Sequence, residues 1–286
     1  MKISVYITSY NQKEFLKEAI ESVLNQTLKP FEIIIVDDCS SDGSQELIKS
    51  YAERFNIIKY FFHKKNIGVS QVRITALSNV SGDYVTYVDG DDVYLPNKLE
   101  IESKLLQNGK YNLVFTNNLY VNPIDISDVK WIWANKKIEL STNLFVQTIT
   151  RDFPRNSLFR MELVSFDLLK KVGFHDLNLK IYEDYDLRIR LSKIAKMNCS
   201  IEPTTKIRIS EDGLSRSNKE EHLKAYKYIY KKYHSDIEAL NSNLKEKVFS
   251  KMKRNAQVFE PKNDKVEKIF LKDKIKRKLK SIIDKF

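Results

Sequence analysis

Gly82-Asp83-Tyr84-Val85-Thr86-Tyr87-Val88-Asp89-Gly90-Asp91-Asp92-Val93-Tyr94-Leu95-Pro96 is the stretch whose reading decides the fold. Tyr84 to Val88 is built from β-branched and aromatic residues without polar alternation, as in a parallel strand buried on both faces. Three carboxylates, Asp89, Asp91 and Asp92, end it abruptly, and a helical pattern follows Pro96. The acids then fall at the carboxyl end of a strand, the edge where open α/β sheets bind ligands. Carboxylates this close repel one another at low dielectric unless a cation lies between them, and hard oxygen donors suit Mg²⁺ or Mn²⁺. The same residues also read as a solvated acidic turn leading into a helix, so the cluster alone leaves both readings open.

Upstream, strands and helices alternate. Ile3 to Thr8 reads as a first strand, and Phe15, Leu16, Ala19, Ile20, Val23 and Leu24 recur with the spacing of an amphipathic helix. Glu32 to Asp37 is a second buried strand, followed by Asp38. Cys39 to Ser44 then supplies turn and cap residues for a helix carrying Leu47, Ile48, Tyr51, Ala52 and Phe55. A third strand, Ile57 to Phe62, precedes a helix marked by Val69, Val72, Ala76, Leu77 and Val80. This alternation implies right-handed βαβ crossovers and a mostly parallel, Rossmann-like α/β sheet. Downstream the pattern predicts a helix to about Gln107, a strand at Tyr111 to Thr116 and an irregular segment over residues 118–139. Helices at Phe166 to Val172 and Glu183 to Ile194, a strand from Cys199 to Ile209 and charged helix from Lys219 complete it.

With 42% hydrophobic residues and only 7 Gly and 6 Pro in 286 residues, the chain is expected to be globular. Two cysteines, Cys39 and Cys199, are too few for a disulfide framework and fit a reducing cytoplasm. Met1 to Thr8 reads as a strand rather than a signal peptide, and no apolar run is long enough to span a bilayer. The formal charge of +11 is uneven, since residues 262–286 hold ten Lys/Arg against four Asp/Glu. In that tail Val266, Phe270, Ile275, Leu279, Ile282, Ile283 and Phe286 recur mostly every three to four residues. A basic amphipathic helix of this kind suits an anionic membrane surface, or packs its stripe on the rest of the chain. It lacks the interleaved Arg and aromatic residues of nucleic-acid recognition, so no nucleic-acid partner is expected.

Polar groups on three strand ends should meet in one crevice: Thr8 to Asn11, Asp37-Asp38, and Asp89 to Asp92. Tyr10 offers a flat face for a base, Asp38 can accept a base N–H, and Arg73 on the third helix could reach a diphosphate. Singly, each has an ordinary structural reading; their joint placement points to a ligand.

Five segments, in order, resemble the successive motifs of inverting family 2 glycosyltransferases with a GT-A fold. They are Ser4 to Asn11, Ser22 to Thr27, Glu32 to Ser44, Asn66 to Ser70 and Tyr87 to Pro96. The resemblance resumes at Val172-Gly173-Phe174 and Glu183-Asp184-Tyr185-Asp186-Leu187 and fades after about residue 216. It implies a GT-A catalytic domain over residues 1–216, with 1–100 the nucleotide-sugar half and 101–216 the acceptor half. A helical, basic extension over 217–286 would follow. It further implies that Thr8, Tyr10, Asp38, Arg73 and Asp89 bind the nucleotide, that Asp91 with Asp89 holds Mn²⁺ or Mg²⁺, and that Asp184 is the general base beside Glu183. Trp131 and Trp133 become candidates for stacking on an acceptor sugar. Two departures stand out: Ile74 where the family often has Asn, and Ser210 where many members have a His. The four histidines show no metal-ligand spacing.

The implied activity is metal-dependent, inverting transfer from a nucleotide-sugar donor, UDP favoured, to a hydroxyl of a glycan or lipid-linked acceptor. Bacterial surface-polysaccharide synthesis, peripheral on the cytoplasmic membrane face, is the setting it suggests. A phosphatase of the haloacid-dehalogenase type is the competing enzyme, because Asp89-x-Asp91-x-Val93 fits its DxDx(T/V) pattern; three βα units upstream argue against it. A sugar-nucleotide pyrophosphorylase needs a glycine-rich first loop, and Thr8 to Gln12 has no glycine.

Overall fold

The computed structural model describes residues 1–209 and 218–257. The chain divides into two compact units, Met1–Asp212 and Gly213–Phe286. In the first, β1 (Ile3–Ser9), α1 (Lys13–Leu24), β2 (Glu32–Asp37), α2 (Ser44–Arg54), β3 (Ile58–Phe62), α3 (Val69–Ser78) and β4 (Tyr84–Asp89) follow in order. After them come β5 (Val93–Tyr94), α4 (Lys98–Leu105), β6 (Leu113–Val121), β7 (Val129–Ile132) and α5 (Leu144–Ile149). The unit closes with β8 (Leu163–Ser165), α6 (Phe166–Val172), α7 (Glu183–Ser192) and β9 (Met197–Arg208).

These strands form one sheet in the order β3-β2-β1-β4-β8-β6-β9-β5, with β7 paired to β6. The first four are parallel, as continuous apolar runs demand: every residue of β1 and β2 is buried. Helix α1 turns Leu16, Ala19, Ile20 and Val23 into the core, the face its spacing predicts. Parallel register does the functional work here, because it sets Thr8 opposite Asp89 and Ser9 opposite Asp37. Strand β8 runs antiparallel to β4 and β6, so the chain segment that enters β8 arrives beside the end of β4.

Residues 118–139 are less irregular than expected. Strand β6 continues past Thr116 to Val121 and pairs with β7, where Tyr120 and Trp131 stack at 5.1 Å. Asn117-Asn118 hides this strand from a hydrophobicity reading. The β6–β9 register shifts at that point, and the fully buried Asn117 amide donates to the carbonyls of Ala134 and Ile201, 2.9 Å each. A buried amide there satisfies backbone groups that the irregular ladder leaves over.

The second unit contributes α8 (Lys219–Lys232), α9 (His234–Glu238) and α10 (Ser242–Gln257), with Ala225, Tyr226, Ile229, Ile237, Val248 and Met252 buried. The tail expected to form a basic amphipathic helix, residues 262–286, and Ser210 lie outside the described residues. Among the described residues no helix is long and apolar enough to cross a membrane.

Candidate active site

The crevice is floored by the ends of β1, β2 and β4. Beyond β1 the chain turns through Asn11 with φ 51°, a left-handed conformation Asn tolerates. The Asn11 N–H donates to Ser40 Oγ (2.8 Å), and Asn11 Oδ1 accepts from the Ser41 N–H (2.9 Å), so the loops after β1 and β2 are tied together. Tyr10 on this frame is 48% exposed, a flat ring presented to solvent.

Asp38 is placed differently from the expectation of a free base acceptor. It is 3% exposed and accepts from His63 Nδ1 (2.8 Å) and the N–H groups of Ile67 (3.1 Å) and Gly68 (2.8 Å). His63 Nε2 in turn lies 3.0 Å from Thr75 Oγ1. The carboxylate therefore holds the Asn66-Ile67-Gly68 loop against the sheet, and that loop sets the start of α3.

Arg73 of α3 is also not free for a diphosphate. Buried to 5% exposure, it donates through Nη1 to Glu183 Oε1 and through Nη2 to Asp89 Oδ1, 3.0 Å each, and lies 4.8 Å from the Tyr87 ring centroid. This arginine joins the end of β4 to the start of α7.

The three acids diverge. Asp89 takes Arg73 and the Thr8 hydroxyl (3.1 Å) on Oδ1, with Arg160 Nη2 at 3.7 Å from Oδ2. Asp92 turns inward, 3% exposed, to accept the Arg208 N–H at 2.9 Å. Asp91 pairs with no cation and no other residue's donor among the described residues. Burial, and then the charge of Asp89, push its carboxyl above the ordinary range. Gly90 must separate the acids: a Cβ there would meet Thr8 O and Gln12 Oε1 at 2.7 Å each.

Among the described residues no three His, Cys, Asp or Glu converge on a metal. Arg73 pairs with Asp89, but the crowding expected of Asp89, Asp91 and Asp92 persists: burial and then the charge of Asp91 also push the inward-turned Asp92 above the ordinary carboxylate range. Asp91 with Asp89 still fits Mg²⁺ or Mn²⁺, which use one or two carboxylates and take their other ligands from phosphate and water.

Across the crevice, Glu183 and Asp184 open α7. Glu183 is 6% exposed; burial raises its pKa to about 7 against the pull of Arg73, with Asp184 adding to the rise. Asp184 keeps more exposure and accepts from Arg188 Nη1 at 2.5 Å. Burial works against its ionisation, but Arg188, then Arg73 and Arg160, hold its carboxyl well below the ordinary range. Arg188 is itself fixed by Glu162 Oε2 (2.9 Å) and the Tyr87 hydroxyl (2.9 Å).

The tryptophans separate. Trp133 is 2% exposed, packs edge-on against Phe115 and donates to Ser157 Oγ at 2.8 Å, so it is a core residue and not an acceptor contact. Trp131 is 37% exposed on the Tyr120 ring. Arg188 is the partner that i,i+4 spacing predicts for Asp184, whereas Arg160 and Glu162 were not legible beside the crevice, because no spacing rule connects them to the β4 acids; only the sheet order does.

The profile of the family Glycosyl transferase family 2 matches residues 4–166, more than half of the chain. An uncharacterised glycosyltransferase of Rickettsia bellii is 36% identical over 148 residues, 52% of this chain and 21% of the relative. A cholesterol galactosyltransferase of Borreliella burgdorferi is 45% identical over 100 residues, 35% of this chain and 28% of the relative. The match thus spans about a fifth of the Rickettsia protein's length. Among solved structures, S. aureus TarS 1–349 in complex with UDP-GlcNAc superposes with a TM-score of 0.72 at 21% identity, covering 92% of this chain and 74% of that one. The family profile runs from β1 through the β4 acids to the first residue of α6, over the same parallel sheet, and the chain belongs to glycosyltransferase family 2 with the GT-A fold.

Proposed function

We propose that this chain transfers a sugar from a nucleoside diphosphate sugar, UDP favoured, to a hydroxyl acceptor with inversion at the anomeric carbon. One observation carries this reading: Arg73 joins Asp89 and Glu183, 3.0 Å to each, so the donor acids and the α7 carboxylates share one crevice. Two comparisons support the donor class, the TarS structure that holds UDP-GlcNAc and the Borreliella relative named as a galactosyltransferase.

Tyr10 stacks on the base, and Thr8 and Asp89 border the ribose. Asp91, with Asp89 beside it, would hold a divalent cation, which would supply positive charge to offset the negative charge gathering on the leaving diphosphate. Asp184 takes the acceptor proton as the acceptor oxygen bonds to the anomeric carbon and the bond from that carbon to the diphosphate oxygen breaks. Its low pKa suits a late transfer, once the attacking hydroxyl has become acidic. Glu183 is committed to Arg73 and positions it. Trp131 stands as an acceptor-side contact. A lipid-linked acceptor at an anionic membrane face fits the lysine-rich tail, and the sterol named for the Borreliella relative is also a lipid.

The test is transfer from a panel of nucleotide sugars with and without Mn²⁺, with NMR of the product. An anomeric configuration opposite to the donor's is expected; retention, or no hydrolysis or transfer from any donor, overturns the reading.

A further inference from the structure

Among the described residues Arg73, Arg188, Arg208 and Arg160 border the crevice, and the first three are tied down by hydrogen bonds. Arg73 is held by Asp89 and Glu183, and Arg188 by Glu162, Asp184 and Tyr87. Arg208 donates to Glu18 (2.7 Å), to the Pro123 carbonyl (3.0 Å) and to the Asp91 carbonyl. Arg160 differs. Its side chain is 34% exposed, it makes no hydrogen bond among the described residues, and its one ion pair there, 3.7 Å to Asp89 Oδ2, is longer than a hydrogen bond.

Its backbone, by contrast, is pinned. Phe159 and Met161 on either side are fully buried, and Phe159 stacks on Phe115 at 4.2 Å. Met161 sits at φ 53°, a strained conformation for this residue, and its carbonyl accepts from Thr86 Oγ1 (3.1 Å) and from the buried Lys98 Nζ (2.7 Å). A fixed Cα carrying an unengaged guanidinium is preorganised for a ligand. The distance of 3.7 Å to Asp89 Oδ2 places the head group beside the acids that end β4.

We infer that Arg160 grips the outer phosphate of the donor, the one whose oxygen leaves the anomeric carbon. This rests on the donor reading above. A guanidinium presents paired N–H groups that match two phosphate oxygens, and it carries positive charge without giving up a proton. Leaving Asp89 costs little, because that contact is long and Arg73 continues to neutralise the carboxylate.

Calorimetry with UDP and with UMP, in the presence of Mn²⁺, on wild type and on Arg160→Ala, Arg160→Met and Arg160→Lys tests this, together with transfer rates and thermal melting. Expected are unchanged melting, a loss of UDP affinity of about 10- to 100-fold in the Ala and Met variants with UMP affinity nearly unchanged, and kcat down by at least about tenfold. Lys should restore part of both. UDP affinity and kcat equal to wild type in Ala and Met overturn the inference, as does an equal loss for UDP and UMP. Tighter Mn²⁺ binding with unchanged UDP affinity would make Arg160 a counter-ion of the acids only, and also overturns it. If wild type binds no UDP, the donor reading itself falls, a result distinct from these.

Discussion

Glu183 and Asp184 are adjacent, yet their surroundings push their pKa values apart, and the proposed roles, base for Asp184 and positioning for Glu183, can be tested on that contrast. Glu183 is buried and raised to about 7 while engaged with Arg73; Asp184 is held ionised by Arg188, with Arg73 and Arg160 adding to the effect. Asp184→Asn should therefore lower kcat by about two to four orders of magnitude while leaving UDP affinity near wild type. Because the folded-state pKa of Asp184 is depressed, Asp184 itself adds no limb to kcat between about pH 8 and pH 5, and any limb near 7 belongs to Glu183. Activity retained in Asp184→Asn with a limb near 7 would move the base role to Glu183. Asp91→Asn removes the carboxylate with no counter-charge, and loss of Mn²⁺-dependent UDP binding by calorimetry is expected; affinity that ignores both the mutation and EDTA would remove the metal from this site. The placement of these acids at the end of β4 and the start of α7 was legible from the sequence, the first from its strand pattern and the second from the family resemblance. Trp133 was misread for a physical reason: in a segment without clear periodicity, a buried indole and a presented one look alike, and the Ser157 partner is 24 residues away.

Strands β1 to β4 could be read almost to the residue, since unbroken runs such as Glu32-Ile33-Ile34-Ile35-Val36-Asp37 have no other stable use. Strand β6 could not, because Asn117-Asn118 serve an irregular ladder that only the fold reveals. The polar residue that starts β2 illustrates how much such elements carry. Glu32 is 3% exposed and accepts from Ser4 Oγ (2.6 Å), Lys59 Nζ (2.7 Å), and the Ser81 N–H (2.6 Å) and hydroxyl (2.8 Å). It clamps β1, β2, β3 and the approach to β4 together. Burial alone would raise its pKa, but the hydrogen bonds from Lys59, Ser4 and Ser81 outweigh it and bring it from 4.5 to about 2. A depressed folded-state value means that this stabilisation is complete above about pH 4.5 and drains away as pH falls through about 2. Glu32→Gln should cost about 1–3 kcal/mol at neutral pH. The gap from wild type in urea-unfolding free energy should narrow on acidification; a gap constant from neutral pH to pH 3 would show that charge has no part in the clamp.

At the scale of the whole chain, charge and fold are distributed differently. The family profile ends at residue 166, while residues 262–286 carry ten Lys/Arg and seven spaced apolar residues. Each Lys or Arg near an anionic leaflet contributes about 1 kcal/mol, so the excess of six positive charges in this stretch is enough for reversible attachment, and the apolar residues add to it. Under the proposed reading, attachment would hold the catalytic unit near a bilayer and raise the local concentration of a lipid-linked acceptor, a kinetic use for the tail without any direct part in the chemistry. Sedimentation with vesicles should then show binding to anionic but not to neutral liposomes, weakened by salt because the attraction is screened within about 10 Å at 0.1 M. Deleting residues 262–286 should abolish sedimentation while leaving UDP affinity intact, since every residue proposed for the donor lies before position 190. Full-length protein remaining in the supernatant with anionic vesicles at low salt would refute the membrane role; parallel loss of UDP binding on deletion would show instead that the tail supports the catalytic unit.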